Sequence, residues 1–267
     1  MKSTNKIESD VKNLIKGYYK DNWLNRRLQR VGLAYGGSVD PELKKYRETT
    51  TEHLYKINDE WTSSRVKLHK KIVDNFFKNK VADQKRPTAV ILAGGTGSGK
   101  TYVYQKFYGK IDENSVYINS DDIKQQLPEY SKYIKKDYKS AAHKVHGESS
   151  YLSKVLIHDA IENKYHITID TTLSKQQKAE KLIRDLKKRG YDIKLVFVDV
   201  PPDKAFYSAQ KRGVDTKRWV PREVVYKSNI NSRKVVKHLI KNKLISKYAW
   251  YDNSGLNKKQ PPKRINL

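Results

Sequence analysis

Apolar positions in the first eighty residues recur at helical spacing. Val11, Leu14, Ile15 and Tyr18 stand at i, i+3, i+4 and i+7, which predicts a helix over residues 5–34. Gly36-Gly37 breaks it, and Asp40-Pro41 supplies an N-cap and an N1 proline for a second helix over about 41–58. A third, about 60–79, carries Leu68, Ile72, Val73, Phe76 and Phe77 on one face. A polar connection then ends at Pro87. From Thr88 the pattern changes. Short apolar runs at 88–93, 115–118, 165–170, 193–199 and 247–252 read as strands. Helical stretches fall between them at about 99–108, 120–127, 132–163, 174–189, 202–211 and 221–244. Such alternation predicts a parallel sheet covered on both faces. The expected organisation is a helical extension over 1–60, an α/β domain over 61–254 that includes a leading helix at 61–79, and a polar tail over 255–267.

Composition narrows the setting. The 267 residues contain no cysteine, which removes disulfides, thiolate metal sites and thiol nucleophiles. No apolar run approaches the ~20 residues of a membrane span, and the first ten residues lack the apolar stretch of a signal peptide. The expectation is a cytoplasmic protein that does not engage membranes. Net charge is +27, which admits attraction to nucleic acid. The basic residues are spread evenly, however, and runs such as 67-KLHKK-71 and 185-DLKKR-189 read as solvated helix faces. A general bias toward lysine therefore explains the charge better than a dedicated nucleic-acid surface.

The sharpest motif is 94-GGTGSGKT-101, which fits G-x-x-x-x-G-K-[ST] between an apolar strand and a helix. Gly94, Gly95, Thr96, Gly97, Ser98 and Gly99 let the backbone curl into a cup of N–H groups at a helix N-terminus, a site for phosphate. Lys100 then reaches the β- and γ-phosphates, and the Thr101 hydroxyl ligates Mg²⁺. A nucleoside triphosphate is the ligand this pattern suits.

Other residues admit two readings. Asp121, just past the second strand, suits a general base for an acceptor hydroxyl, and equally a helix N-terminus; Asp122 suits the latter. Asp170, closing the strand 165-YHITID-170, suits the Walker-B acid that holds Mg²⁺, or a strand-end turn. Arg212 and Arg218 lie where a loop closes over a triphosphate, but so basic a chain gives position alone little weight. No N-K-x-D selects guanine, and 251-YDNS-254 selects no base. His143 and His146 share a helical face without the further ligands of a zinc site.

Taken in order, 65-RVKLHKKIV-73, the glycine-rich loop, 118-INSDDIK-124, 145-VHGESS-150, 167-ITIDTT-172, 212-RGVDTKRWVP-221 and 248-YAWYDNS-254 resemble the zeta-toxin-like P-loop kinases. The resemblance implies a three-layer P-loop NTPase sandwich with a five-stranded, mostly parallel sheet, preceded by the helical extension. It implies ATP and Mg²⁺ as cofactors and a UDP-amino sugar, such as UDP-N-acetylglucosamine, as acceptor. It gives Asp121 the role of base, Glu148 and Thr172 contact with the acceptor, Asp170 the acid of an acidic-Gly-Thr segment, and Arg212 and Arg218 the neutralisation of phosphate charge. It also implies a protein inhibitor, an antitoxin, as partner. Thr171 stands where the family has glycine, and Leu173 and Ser174 follow where a basic residue is usual. Other readings are a polynucleotide or other small-molecule kinase, and a non-catalytic nucleotide-binding, partner-binding or virion-associated protein.

Overall fold

Thr50 opens the described secondary structure, its side chain accepting a hydrogen bond from the His53 amide at 3.3 Å. The computed structural model describes residues 49–83, 85–255 and 261–265, all within one unit that begins at residue 45. The helix expected over 5–34, the break at Gly36-Gly37 and the start of the helix expected over 41–58 lie outside the described residues. After Thr50 comes a short helix α1 (Thr51–Tyr55), then a hairpin of β1 (Lys56–Ile57) and β2 (Glu60–Trp61). Asn58 and Asp59 make its turn at φ 50° and 64°. These residue types tolerate left-handed backbone, so the chain reverses where the helix opened by Asp40-Pro41 was expected to run on to residue 58. Thr51 is buried, and its hydroxyl points at the Lys144 carbonyl at 3.5 Å. Helix α2 (Ser63–Phe77) follows and buries Ile72 and Val73.

The remaining elements alternate. They are β3 (Thr88–Ala93), α3 (Lys100–Tyr108), β4 (Val116–Asn119), α4 (Ser120–Gln125), α5 (Pro128–Lys144) and α6 (His146–Glu162). Then come β5 (Ile167–Thr171), α7 (Gln176–Lys188), β6 (Asp192–Asp199), α8 (Pro202–Thr216), α9 (Arg222–Lys241), β7 (Tyr248–Asp252) and β8 (Lys263–Ile265). The sheet runs β4-β5-β3-β6-β7-β8. Its first five strands are parallel, as the alternating pattern predicts. Ala89, Ile91, Leu92 and Ala93 of the central strand have no exposed surface, because helices cover both faces.

Two further features differ from the sequence expectation. The single helix expected over 132–163 is two helices: Pro128 starts the first early, Asp137 interrupts it at φ −158°, and Val145 separates it from α6. Among the described residues the sheet has six strands, because Lys263–Ile265, expected in a polar tail, pairs antiparallel with β7 (Trp250 opposite Ile265). All three β8 residues are exposed, so no apolar alternation marks the strand.

Parallel strands deliver their C-terminal ends to one edge. Register sets Asp170 of β5 between Leu92 of β3 and Asn119 of β4. The glycine-rich loop, the start of α4 and the segment after β5 therefore meet at that edge, where open α/β sheets bind ligands.

Candidate active site

The loop 94–99 is held in shape from three directions. Gly97 has φ +80°, and a Cβ there would run into the carbonyl of Ala205 on α8. Gly99 caps α3 in the left-handed conformation, where a Cβ would meet the Asn253 side chain. Both positions exclude a side chain for conformational and steric reasons together. Around the loop, the Asn229 side chain donates to the Thr96 carbonyl at 2.9 Å, Ser228 accepts from the Thr96 amide at 3.1 Å, and Asn253 donates to the Ser98 carbonyl at 2.9 Å. Buried amides of this kind fix the cup before any ligand enters. Thr101 follows in the first turn of α3 and is exposed. Lys100 donates to the Gly94 carbonyl at 3.1 Å and lies 3.5 Å from Asp170 Oδ1.

Asp170 is nearly enclosed, and its other oxygen accepts from the Tyr117 hydroxyl at 3.1 Å. Asn119 in turn donates to that hydroxyl at 3.2 Å. Burial, the Asp170 charge and the bond to Asp170 push the Tyr117 phenol up, so it remains a donor. Burial and then the Asp170 charge also raise the Asp122 carboxyl. A carboxyl whose charge is disfavoured by a neighbouring carboxylate, beside a phosphate cup, suits a divalent cation.

Asp121 sits in the first turn of α4, its amide donating to the Asn119 side chain at 2.9 Å. Thus Asn119, not Asp121, caps the helix, and the Asp121 carboxylate faces outward to two cations. Lys124 Nζ is 3.0 Å from Oδ1, and Arg218 pairs with Oδ2. Arg212, near the end of α8, is half-buried and interacts electrostatically with Asp170 and Tyr130, and its Nε is buried without a hydrogen-bond partner. Burial lowers the pKa of both arginines. The structure therefore gathers Lys100, Asp170, Asp121, Arg212 and Arg218 at one edge of the sheet.

Glu148 is placed otherwise. It has no exposed surface, and Arg65 grips it with Nε at 2.5 Å and Nη2 at 2.8 Å. His69 Nε2 lies 2.6 Å from the same carboxylate, and Arg65 also forks onto Glu129 at 2.7 and 2.8 Å. Despite burial, these bonds lower the Glu148 pKa to about 2. Its oxygens are held by Arg65 and His69 of α2. Thr172 is half-buried beside the end of β5, its hydroxyl 3.1 Å from that of Ser174. Between them Leu173 takes φ 48° and buries its side chain.

Sequence reasoning missed Lys124, Tyr117, Ser228 and Asn229. Lys124 had a signal, being three residues after Asp121 on a short helix. Asn229 had none, because it lies within a helix whose pattern speaks only of core.

A central parallel strand that ends in a glycine cup, a lysine facing a strand-end aspartate, and arginines arriving from the α8–α9 region define a P-loop kinase fold. The Zeta toxin family profile matches residues 73–258, and the chain belongs to that family. It is 25% identical over 158 residues to the toxin zeta of Enterococcus hirae, covering 55% of each chain. It is 24% identical over 124 residues to the toxin PezT of Streptococcus pneumoniae, covering 46% of this chain and 49% of that one. The chain thus spans about half the length of the curated relatives it matches. Among solved structures, one from work on the PezAT toxin–antitoxin system of Streptococcus pneumoniae superposes with TM-score 0.59 at 19% identity, covering 73% of this chain and 80% of that one. A complex of AvrRxo1-ORF1 and AvrRxo1-ORF2 with ATP gives TM-score 0.59 at 19% identity, covering 88% and 74%. No helix among the described residues is long and apolar enough to cross a membrane.

Proposed function

We propose that this protein is an ATP-dependent kinase that transfers the γ-phosphate to a hydroxyl of a small acceptor, and that the acceptor is a UDP-amino sugar such as UDP-N-acetylglucosamine. The observation that carries the reading is the position of Asp121 at the same sheet edge as Lys100 and Asp170, linked to Arg218. The loop amides and Lys100 grip the β- and γ-phosphates. Thr101 and Asp170 would hold Mg²⁺, with phosphate oxygens and water completing its shell. When bound, that ion neutralises charge on the phosphates.

Asp121 takes the proton of the acceptor hydroxyl as its oxygen bonds to the γ-phosphorus. The bond from that phosphorus to the β–γ bridging oxygen breaks, and ADP leaves. Arg212 and Arg218 stabilise charge on the moving phosphoryl group. Thr172, beside the end of β5, lines the acceptor side. Membership of the zeta toxin family supports the sugar acceptor. It also supports an inhibitory protein partner, as in the PezAT toxin–antitoxin system, and with it a cytoplasmic setting.

The test is incubation with labelled ATP and a panel of UDP-sugars, nucleotides and oligonucleotides, read by mass. A phosphorylated UDP-amino sugar supports the proposal. Label on oligonucleotide ends alone transfers it to a polynucleotide kinase, and ATP binding without transfer to any acceptor rejects it.

A further inference from the structure

The two cations on Asp121 are not equivalent. Arg218 follows Lys217, which ends α8 in the left-handed conformation at φ 56°, and so belongs to the segment that joins α8 to α9. Lys124 lies one turn along the same helix as Asp121, with its side chain 10% exposed. Its neighbours Ile123 and Leu127 have essentially no exposed surface, so its stem is walled into the core. One cation sits on a connecting segment, and the other is fixed relative to the carboxylate.

We propose that Lys124 is the positioning residue of the Asp121 base: it holds Oδ1 in place and thereby presents Oδ2, the oxygen paired with Arg218, to the acceptor hydroxyl. The proposal rests on the kinase reading. A carboxylate that must collect a proton needs one oxygen anchored and one lone pair aimed, because a freely rotating carboxylate loses the near-attack geometry. The anchor also opposes premature protonation of the base. Oδ2 becomes available when Arg218 exchanges its carboxylate for phosphate oxygens, which its planar fork matches equally well.

The charge on the anchor is finely held. Burial pulls the Lys124 ammonium down to about 8, and the Arg212 charge on α8 acts in the same direction. His146 on α6 feels the Lys124 charge as well, which acts to lower its pKa. Asp121 is the carboxylate that Lys124 meets, at 3.0 Å.

Two measurements on the full chain test this. The first is a ¹³C-carboxyl NMR titration of Asp121, assigned with Asp121→Asn, in the wild type and in Lys124→Met. Loss of the anchor should raise the Asp121 midpoint by about one unit or more; an unchanged midpoint overturns the proposal. The second is the pH profile of transfer from ATP to UDP-N-acetylglucosamine. Lys124→Met should lower kcat ~10–100-fold with KM for ATP retained. Lys124→Arg should remain active and lose the alkaline fall of the wild type, because its guanidinium does not deprotonate. Wild-type rate and profile in Lys124→Met overturn the proposal, as does an unaltered alkaline limb in Lys124→Arg. If Lys124→Met does not fold, Lys124→Arg carries the test. If the wild type transfers phosphate to no acceptor, the kinase reading fails, and the carboxylate titration still decides whether Lys124 holds Asp121.

Discussion

Arg218 is ion-paired with Asp121 across the gap between the α8–α9 connection and the start of α4. The pair joins the proposed base to the proposed phosphate ligand, so each residue holds the other until a substrate separates them. Asp121→Asn removes the proton acceptor but leaves the glycine cup intact. Phosphoryl transfer should fall ~10²-fold or more with ATP affinity retained, measured by single-turnover kinetics beside calorimetry. Unaltered transfer in this variant would exclude Asp121 as the base.

Lys100 contacts the Gly94 carbonyl and Asp170 and little else of structural consequence. Lys100→Met should therefore keep the fold, seen as an unchanged far-ultraviolet spectrum and a melting temperature within a few degrees. ATP binding and transfer should both be lost. Retention of nucleotide affinity would show that the loop does not bind phosphate through this side chain.

The Arg65–Glu148–His69 group bears on stability. Glu148→Gln leaves Arg65 buried with half its partners, and breaking a buried pair from one side costs about 3–5 kcal/mol. The expected outcome is a large drop in the denaturation midpoint. A surface pair such as Lys70–Asp74, more than half exposed on both sides, should by contrast be nearly neutral on substitution.

Acid should destabilise the protein through Glu148. Its carboxyl is held near 2 in the fold against 4.5 unfolded, so stability is full above about 4.5 and declines as pH falls toward 2. Urea midpoints should fall monotonically across that window, and a constant midpoint over it would contradict the assignment to Glu148.

The sequence was most legible where chemistry and periodicity coincide. The glycine loop between an apolar strand and a helix located the phosphate cup, and strands closing on Asn119 and Asp170 located the acids. The bonds that hold Glu148 were not legible, because Arg65 and His69 approach it from a helix about 80 residues earlier. Strand β8 escaped because an exposed edge strand needs no apolar face. The division of α5 from α6 turns on backbone angles at Asp137 and Val145, which side-chain periodicity does not encode.

The supports of the glycine loop come from far along the chain: Asn229 reaches Thr96 across 133 positions, and Asn253 reaches Ser98 across 155. A growing polypeptide makes the motif early and its props late. Nascent chains on the ribosome thus carry the nucleotide signature long before they can use it, and competence arrives only with the last helix and strand of the parallel sheet. Translation itself imposes a delay between writing the loop and arming it.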